Sequence, residues 1–102
     1  MNYGLKDESI ESIRNIFRKY PEVEKVILYG SRAKGNFKPA SDIDLTFIGD
    51  TIDQTILNKI SWELDDLLLP YTFDLSIYNH LDGFELLDHI QRVGVLFYRR
   101  EE

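Results

Sequence analysis

The spacing of hydrophobic residues predicts eight short elements along the chain, in the order α-β-(short α)-β-α-β-α-β. The first helix is predicted from apolar residues that recur at helical spacing: Ile10, Ile13, Phe17 and Tyr20. Asp7 is placed to cap this helix, and Pro21 to end it. The run over residues 26–29 is apolar on both faces, which is typical of a central strand.

Two later segments, residues 42–48 and 71–78, alternate between apolar and polar positions, as half-buried strands do. Their polar faces are formed by Asp42, Asp44 and Thr46 in the first segment and by Thr72, Asp74 and Ser76 in the second. The alternation therefore places acidic side chains within strands rather than in loops.

Helical patterns separate and follow these strands. Residues 52–68 carry the longest apolar stripe, preceded by a turn and cap at residues 49–51. Residues 81–92 predict a last helix with Phe84, Leu87 and Ile90 facing inward, and residues 95–98 a short last strand. We therefore expect an α+β fold, a two-layer arrangement in which helices flank a mixed, twisted sheet.

Composition narrows the classes of function. The chain has 102 residues, which is the size of one small domain, so residues 1–102 are taken as a single unit. It has no cysteine, which excludes disulfides and thiolate metal sites. The net charge of −6 argues against direct binding of nucleic acid. No apolar run is long enough for a membrane span and no secretory signal is visible, so we expect a cytoplasmic protein.

The in-strand acids form a candidate metal site. Asp42 and Asp44 share one face of a strand, about 7 Å apart, where their charges would repel by roughly 2.5 kcal/mol. If the strand of Asp74 is a neighbour, about 4.8 Å away, three carboxylates converge. Such an all-oxygen site suits Mg²⁺ or Mn²⁺ rather than zinc. The alternative is that all three are solvated acids on edge strands.

A candidate anion site precedes the acids. A strand ends at Gly30-Ser31, where a short helix begins and free backbone N–H groups can face a phosphate. Ser31 adds a hydroxyl that can also cap the helix, and Arg32 adds a cation expected to contact phosphate. Lys34 and Lys38 are equally consistent with ligand contact and with solubility. In an acidic chain this local positive charge favours a small anionic ligand.

Together these residues resemble a known motif. Gly30-Ser31, ten further residues and Asp42-Ile43-Asp44 resemble the G-S-x₁₀-D-x-D motif of the DNA polymerase β-like nucleotidyltransferase superfamily. The stretch GSRAKGNFKPASDIDL is similar to its minimal single-domain branch, often called MNT, and Asp74 matches the third acid. The resemblance covers residues 8–98.

The resemblance implies the polymerase β-like fold and transfer of a nucleoside monophosphate, with AMP from ATP the expected case, to a hydroxyl group. Two Mg²⁺ ions, or Mn²⁺ in their place, would be held by the acids. The implied residues are the catalytic and metal-binding Asp42, Asp44 and Asp74 and the nucleotide-binding Gly30, Ser31 and Arg32.

The resemblance also implies a partner. The sequence ends about four residues after its last predicted strand, so we expect the acceptor to come from another protein. Proteins of the minimal branch are commonly encoded beside a HEPN-type RNase toxin, and AMP transfer to a toxin tyrosine neutralises it. The expected assembly is therefore a hetero-oligomer in which this chain is the antitoxin.

Two other functions remain open on the sequence alone. The chain would act as a non-catalytic antitoxin if it blocked its partner by covering it. It would act on a small molecule if a soluble hydroxyl acceptor sufficed for pyrophosphate release.

Several conspicuous residues have ordinary interpretations. Ser41 is expected to stabilise the turn before the strand. His80 and His89 lack metal-ligand spacing and are expected at the surface or satisfied by neighbours. Trp62 is expected beside the long helix's apolar stripe, although an exposed Trp would mark an interface. Residues 98–100 are expected to fray.

Overall fold

A computed structural model describes residues 2–101. The helices are α1 (Asp7–Arg18), α2 (Gly30–Lys34), α3 (Gln54–Asp66) and α4 (Phe84–Val93), with a single 3₁₀ turn at Tyr78–His80. The strands are β1 (Lys25–Tyr29), β2 (Ile43–Ile48), β3 (Phe73–Ile77) and β4 (Val95–Arg99). The predicted element order is confirmed, and the 3₁₀ turn is an addition to it.

The four strands form one mixed sheet in the order β3-β2-β1-β4. β1 pairs antiparallel with β2 and with β4, whereas β2 and β3 are parallel and joined through α3. β1 is therefore an interior strand, as its apolar sequence predicts. The α+β class and the mixed sheet flanked by helices are confirmed.

The core lies between one face of the sheet and the apolar faces of α1 and α3. The buried side chains of α1 are Ile10, Ile13, Ile16 and Phe17. Those of α3 are Leu57, Ile60 and Leu64. The core residues of β2 alternate with polar ones, so Asp44 lies on the opposite face of the sheet. α2 and α4 contact each other and β1 beside that face.

Both predicted helix caps are wrong in position. Asp7 is the first residue of α1 and its side chain makes no cap hydrogen bond; Lys6 is the capping residue by backbone position. α3 is capped by Asp53, whose carboxylate accepts a 2.9 Å hydrogen bond from the N–H of Ile56. The helix consequently begins later than the turn at residues 49–51.

Three exposed apolar residues also depart from prediction. Phe84 is the first residue of α4 and is 83% exposed, because the first turn of the helix projects beyond the core. Leu68 follows α3 in a left-handed conformation and is 88% exposed. Trp62 is 70% exposed on α3 and does not pack beside the apolar stripe.

The C-terminal segment is more ordered than expected. β4 continues to Arg99, and Tyr98 is buried against Phe17 in an edge-to-face contact. The N–H of Arg100 donates a 2.8 Å hydrogen bond to the carbonyl of Glu24. The prediction of a frayed end at residues 98–100 is therefore wrong. None of the helices formed within residues 2–101 combines the length and the hydropathy that a bilayer span requires.

Candidate active site

The centre of the candidate site is a row of three residues across the sheet. Asp44 on β2 is paired with Tyr29 on β1 and with Asp74 on β3. Directly paired residues share one face of a sheet, and neighbouring strands lie about 4.8 Å apart. The strands of Asp44 and Asp74 are therefore neighbours, which is the condition under which their carboxylates were expected to approach each other. Tyr29 was not predicted as part of this group, because the apolar run around it conceals its register.

Asp42 lies at the margin of this row. It precedes β2 by one residue and is exposed, so the expectation that it lies within a strand is wrong. Pairing nevertheless begins immediately after it, because the N–H of Ile43 donates to the carbonyl of Thr72 over 2.9 Å. The backbone of Asp42 is thus held in place by the strand pairing of the next residue, whereas its exposed side chain can change orientation.

The charges of Asp74 and Asp42 act on the carboxyl group of Asp44. Partial burial, followed by the charges of Asp74 and then Asp42, raises the pKa of Asp44 from 3.8 to about 6. Arg32 opposes this change and lowers the pKa of Asp44. Burial also raises the pKa of the Tyr29 phenol, with further contributions from Asp74 and Asp44. The ionised row therefore carries a charge repulsion that a cation would relieve.

We predict that Asp44→Asn stabilises the metal-free protein at neutral pH. The folded protein holds the Asp44 proton more tightly than the unfolded chain, so this group's contribution to stability falls as pH rises from about 4 to about 6. Allowing for solvent screening, we expect a gain of about 1 kcal/mol above pH 6 and almost none near pH 4. Urea unfolding at both pH values in EDTA measures the difference.

Asp66→Asn is the matched control, because Asp66 is exposed at the end of α3 and is not part of the row across the sheet. Its effect on unfolding should be small at both pH values. An Asp44→Asn protein no more stable than wild type at pH 7.5 would contradict the electrostatic account.

The predicted anion site lies directly against this row. Gly30 has a φ of +75°, and a Cβ built on it would lie 2.1 Å from Oδ2 of Asp44. Only glycine allows both this left-handed conformation and this close approach without strain. The Gly30-Ser31 turn and the Asp44 carboxylate are consequently neighbours, as the resemblance requires.

His89 holds this turn from the other side. The N–H of Gly30 donates a 3.1 Å hydrogen bond to Nε2 of His89, and the imidazole packs edge-to-face on Tyr29 with centroids 6.2 Å apart. His89 therefore has a satisfied structural role, one of the two roles expected for it. With the N–H of Gly30 occupied, Ser31 is the residue of the turn that offers a hydroxyl to a ligand.

Arg32 has a different role from the predicted phosphate contact. The residue is 1% exposed, and its guanidinium donates to the carbonyls of Ser41 (2.9 and 3.1 Å), Pro39 (3.2 Å) and Tyr3 (2.8 Å). It also lies over the rings of two aromatic residues, 5.2 Å from the centroid of Phe37 and 4.8 Å from that of Tyr71. With its donors turned to backbone carbonyls, Arg32 anchors the loop that leads into Asp42.

The other polar residues of this loop are arranged around the same anchor. Ser41 accepts a 2.8 Å hydrogen bond from the N–H of Lys38 through its hydroxyl, so its predicted role in the turn is confirmed. Lys34 and Lys38 are exposed, which leaves both free to approach an anionic ligand or simply to be solvated.

The acidic side chains of the site offer oxygen donors to a metal ion but are not arranged as a finished ligand set. Within residues 2–101 no three acidic or histidine side chains lie close enough together to form a ready-made ligand set. The expected convergence of Asp42, Asp44 and Asp74 on one ion is therefore not preformed. The donor chemistry still fits a hard cation, because the coupled groups are carboxylates and the exposed Asp42 and Asp74 have room to turn toward Asp44.

Comparison with known proteins gives a family match. Residues 11–102 match the family model described as polymerase beta, nucleotidyltransferase. No curated protein matches the chain.

Comparison with solved structures finds similar chains. One is in a crystal structure of a toxin–antitoxin pair with AMP-PNP, at a TM-score of 0.70 and 21% identity over 90% of this chain and 74% of the other. Another is in a structure of a tri-AMPylated Shewanella oneidensis HEPN toxin in complex with MNT antitoxin, at a TM-score of 0.67 and 18% identity over 93% of this chain and 73% of the other. A third is in a crystal structure of the toxin–antitoxin pair MntA-HepT, at a TM-score of 0.65 and 19% identity over 92% of this chain and 73% of the other.

Proposed function

Because this chain belongs to the polymerase β nucleotidyltransferase family and has the mixed-sheet fold of that family, we propose that it transfers AMP from ATP to a tyrosine of a HEPN-type partner. The transfer would inactivate the partner, and the chain would thereby act as an antitoxin. The observation that carries the proposal is the pairing of Asp44 with Asp74 on adjacent strands, directly against the Gly30-Ser31 turn.

Asp42, Asp44 and Asp74 are proposed to hold Mg²⁺, with two ions shared among them and Mn²⁺ able to substitute. The bound cation would neutralise the carboxylate row and the phosphate oxygens, so that both can occupy one site. Asp44 is the central residue, because it is paired with Asp74 on β3, adjoins the Gly30-Ser31 turn and follows Asp42 by two positions. The Ser31 hydroxyl is proposed to donate to a phosphate oxygen of the nucleotide.

In the proposed reaction the tyrosine hydroxyl oxygen forms a bond to the α-phosphorus of ATP. The bond from that phosphorus to the oxygen bridging the α- and β-phosphates breaks, and pyrophosphate leaves with the bonding electrons. Asp74 is exposed and lies on the outermost strand of the row, so it is proposed to accept the hydroxyl proton. Positioning and charge neutralisation would supply most of the acceleration.

The partner class is proposed from three features. Structurally similar chains come from toxin–antitoxin complexes, one of them with a HEPN toxin that carries AMP groups. The charge of −6 is complementary to a basic RNA-binding surface. The site itself is an open row at one side of a small sheet, which leaves the acceptor to be supplied by a second chain. A hetero-oligomer in the cytoplasm is the proposed setting.

The proposal is tested by incubating the chain with a HEPN-type partner, Mg²⁺ and ATP labelled at either the α- or the γ-phosphate. We expect the α label on a partner tyrosine, release of pyrophosphate and no transfer of the γ label. Absence of the α label from the partner, or transfer of the γ label instead, would contradict AMP transfer.

A second function, steric blocking of the partner without catalysis, is favoured by one observation. The described chain lacks a preformed three-ligand metal cluster within residues 2–101. The two functions differ in their response to Asp42→Asn with Asp44→Asn. If this double variant neutralises the partner at the same dose as wild type, covering the partner is sufficient.

A further inference from the structure

The two edges of the sheet, β4 and β3, differ in whether another part of the chain covers them. At the β4 edge, Nε of Arg14 donates a 2.8 Å hydrogen bond to the carbonyl of Phe97, and its guanidinium lies 5.3 Å from the centroid of that ring. A charged side chain thus covers the β4 edge, which is a common way to prevent unwanted strand pairing. Among residues 2–101, no charged side chain hydrogen-bonds to the outer backbone groups of β3 in this way.

The backbone groups of β3 show which of them face outward. The carbonyl of Thr72 accepts from Ile43 on β2, and alternate residues of a strand bond toward the same neighbour. Asp74 and Ser76 therefore bond toward β2, while the N–H and C=O groups of Phe73, Leu75 and Ile77 point away from the sheet. Over residues 2–101, no other strand pairs with this edge.

A groove runs alongside the open edge. It has a volume of about 180 Å³ and lies between α3 and β3, lined by Gln54, Leu57, Asn58, Ser61, Phe73 and Leu75. Phe73 and Leu75 alternate with Asp74, so the groove is on the α3 face of the sheet and the carboxylate row is on the opposite face. The same edge therefore adjoins a side-chain groove on one face and the candidate active site on the other.

We propose that the acceptor segment of the partner protein binds as an extended strand on the outer edge of β3, with its hydroxyl residue in register with Asp74. The proposal rests on the proposed function and names how that site receives its acceptor. An added strand lies about 4.8 Å beyond β3 and continues the row Tyr29–Asp44–Asp74 by one position. A tyrosine at that position projects from the same face as the carboxylates.

The alternation of the added strand sets its sequence preference. The residues on either side of the tyrosine face the groove beside Phe73 and Leu75, so apolar or small side chains fit there. The backbone pairing contributes affinity, and the groove contributes selectivity for the flanking residues. The acceptor class is thus a tyrosine flanked by apolar residues in a segment free to extend.

A partner of opposite charge fits this edge better than a second copy of the chain. Two copies paired through β3 would bring the Asp74 side chains together and combine two proteins of net charge −6. A basic segment would instead be attracted to the carboxylates beside Asp74.

The test uses the peptide Lys-Ser-Val-Tyr-Val-Ser-Lys and a control peptide that is N-methylated at its three central residues, which prevents strand pairing. Hydrogen exchange of the full chain is followed with each peptide at millimolar concentration. The unmodified peptide should slow exchange at the outward amides of Phe73, Leu75 and Ile77, and the N-methylated peptide should not. Unchanged exchange at these amides, or equal protection by both peptides, would overturn the proposal.

Two variants of α3 give an independent readout. Ser61→Phe would fill the groove, whereas Thr55→Phe places the same side chain at an exposed position of α3 that does not line it. With Mg²⁺ and ATP, we expect Ser61→Phe to lower AMP transfer to the peptide at least tenfold through a higher KM, and Thr55→Phe to leave it unchanged. Equal transfer by the two variants would overturn the proposal.

The peptide experiment separates this inference from the proposed function. Protection of the β3 amides without any AMP transfer would uphold edge binding and count against the enzyme activity. Equal AMP transfer to the N-methylated and unmodified peptides would uphold the activity and overturn edge binding.

Discussion

Replacing Asp42 and Asp44 together by Asn is expected to lower AMP transfer by about 10³-fold or more while leaving the protein folded. Cation-assisted charge stabilisation supplies several kcal/mol to such a transfer, and each 1.36 kcal/mol corresponds to a factor of ten in rate. Asn keeps the size of each side chain and removes the charge that a cation needs. The measurement is single-turnover transfer of α-labelled AMP to the partner at saturating ATP.

The matched control is Asp65→Asn with Asp66→Asn, which removes two adjacent carboxylates from the exposed end of α3. The two double variants change the net charge equally, so a general effect of charge on binding of the acidic chain to its partner would appear in both. Loss of AMP transfer in the Asp65→Asn, Asp66→Asn variant would contradict the assignment of Asp42 and Asp44 as metal-binding residues. So would a transfer rate in the Asp42→Asn, Asp44→Asn variant that stays within tenfold of the wild-type rate.

Replacing Arg32 by Met is expected to destabilise the fold by about 2–4 kcal/mol. Met retains much of the apolar length but removes a buried cation that satisfies the carbonyls of Ser41, Pro39 and Tyr3. Each hydrogen bond to a charged group contributes about 1.5–3 kcal/mol, and the abandoned carbonyls would remain without a donor. Urea unfolding at pH 7 measures the change.

Arg18→Met is the comparison for this prediction, because Arg18 is an exposed residue of α1 that pairs with Glu11 over 2.7 Å. Exposed pairs of this kind contribute less than about 1 kcal/mol. If Arg32→Met unfolds at the same urea concentration as Arg18→Met, the guanidinium is not an anchor of the loop, and a contact with ligand becomes the better interpretation.

The placement of Asp44 and Asp74 followed from the sequence because strands have a simple period. Strict alternation in both segments indicated which residues share a face with each acid. The sequence left open which strands are neighbours and the register of Asp44 opposite Asp74. The family resemblance read from the Gly-Ser and Asp-Ile-Asp spacing is confirmed by the match over residues 11–102.

Arg32 could not be placed from the sequence because its environment is built by irregular segments. Its partners come from the N-terminal turn at Tyr3 and from the loop around Pro39 and Ser41, neither of which has a helical or strand period. Proximity to the Gly-Ser turn made a phosphate contact the natural interpretation. In the folded protein the guanidinium of Arg32 lies over the rings of Phe37 and Tyr71. The sequence alone does not show that these two aromatic residues contact Arg32.

His89 and Tyr29 illustrate a second limit, which is sequence distance. Gly30 and His89 are 59 residues apart, and their hydrogen bond depends on how α4 packs beside β1. A single histidine on an amphipathic helix carries no signal of such a contact. The turn that adjoins Asp44 is thus held in place by an element whose contribution the motif does not reveal.

The central claim, that the carboxylate row binds a divalent cation together with a nucleoside triphosphate, is tested most directly by paramagnetic broadening. Mn²⁺ is added with AMP-PNP to the ¹⁵N-labelled chain, and amide signals are followed. The account predicts that the signals of Gly30, Ser31, Asp44 and Asp74 broaden first and that Asp42→Asn with Asp44→Asn abolishes the effect. Broadening centred on Asp65 and Asp66 in α3, or none at any site, would contradict it.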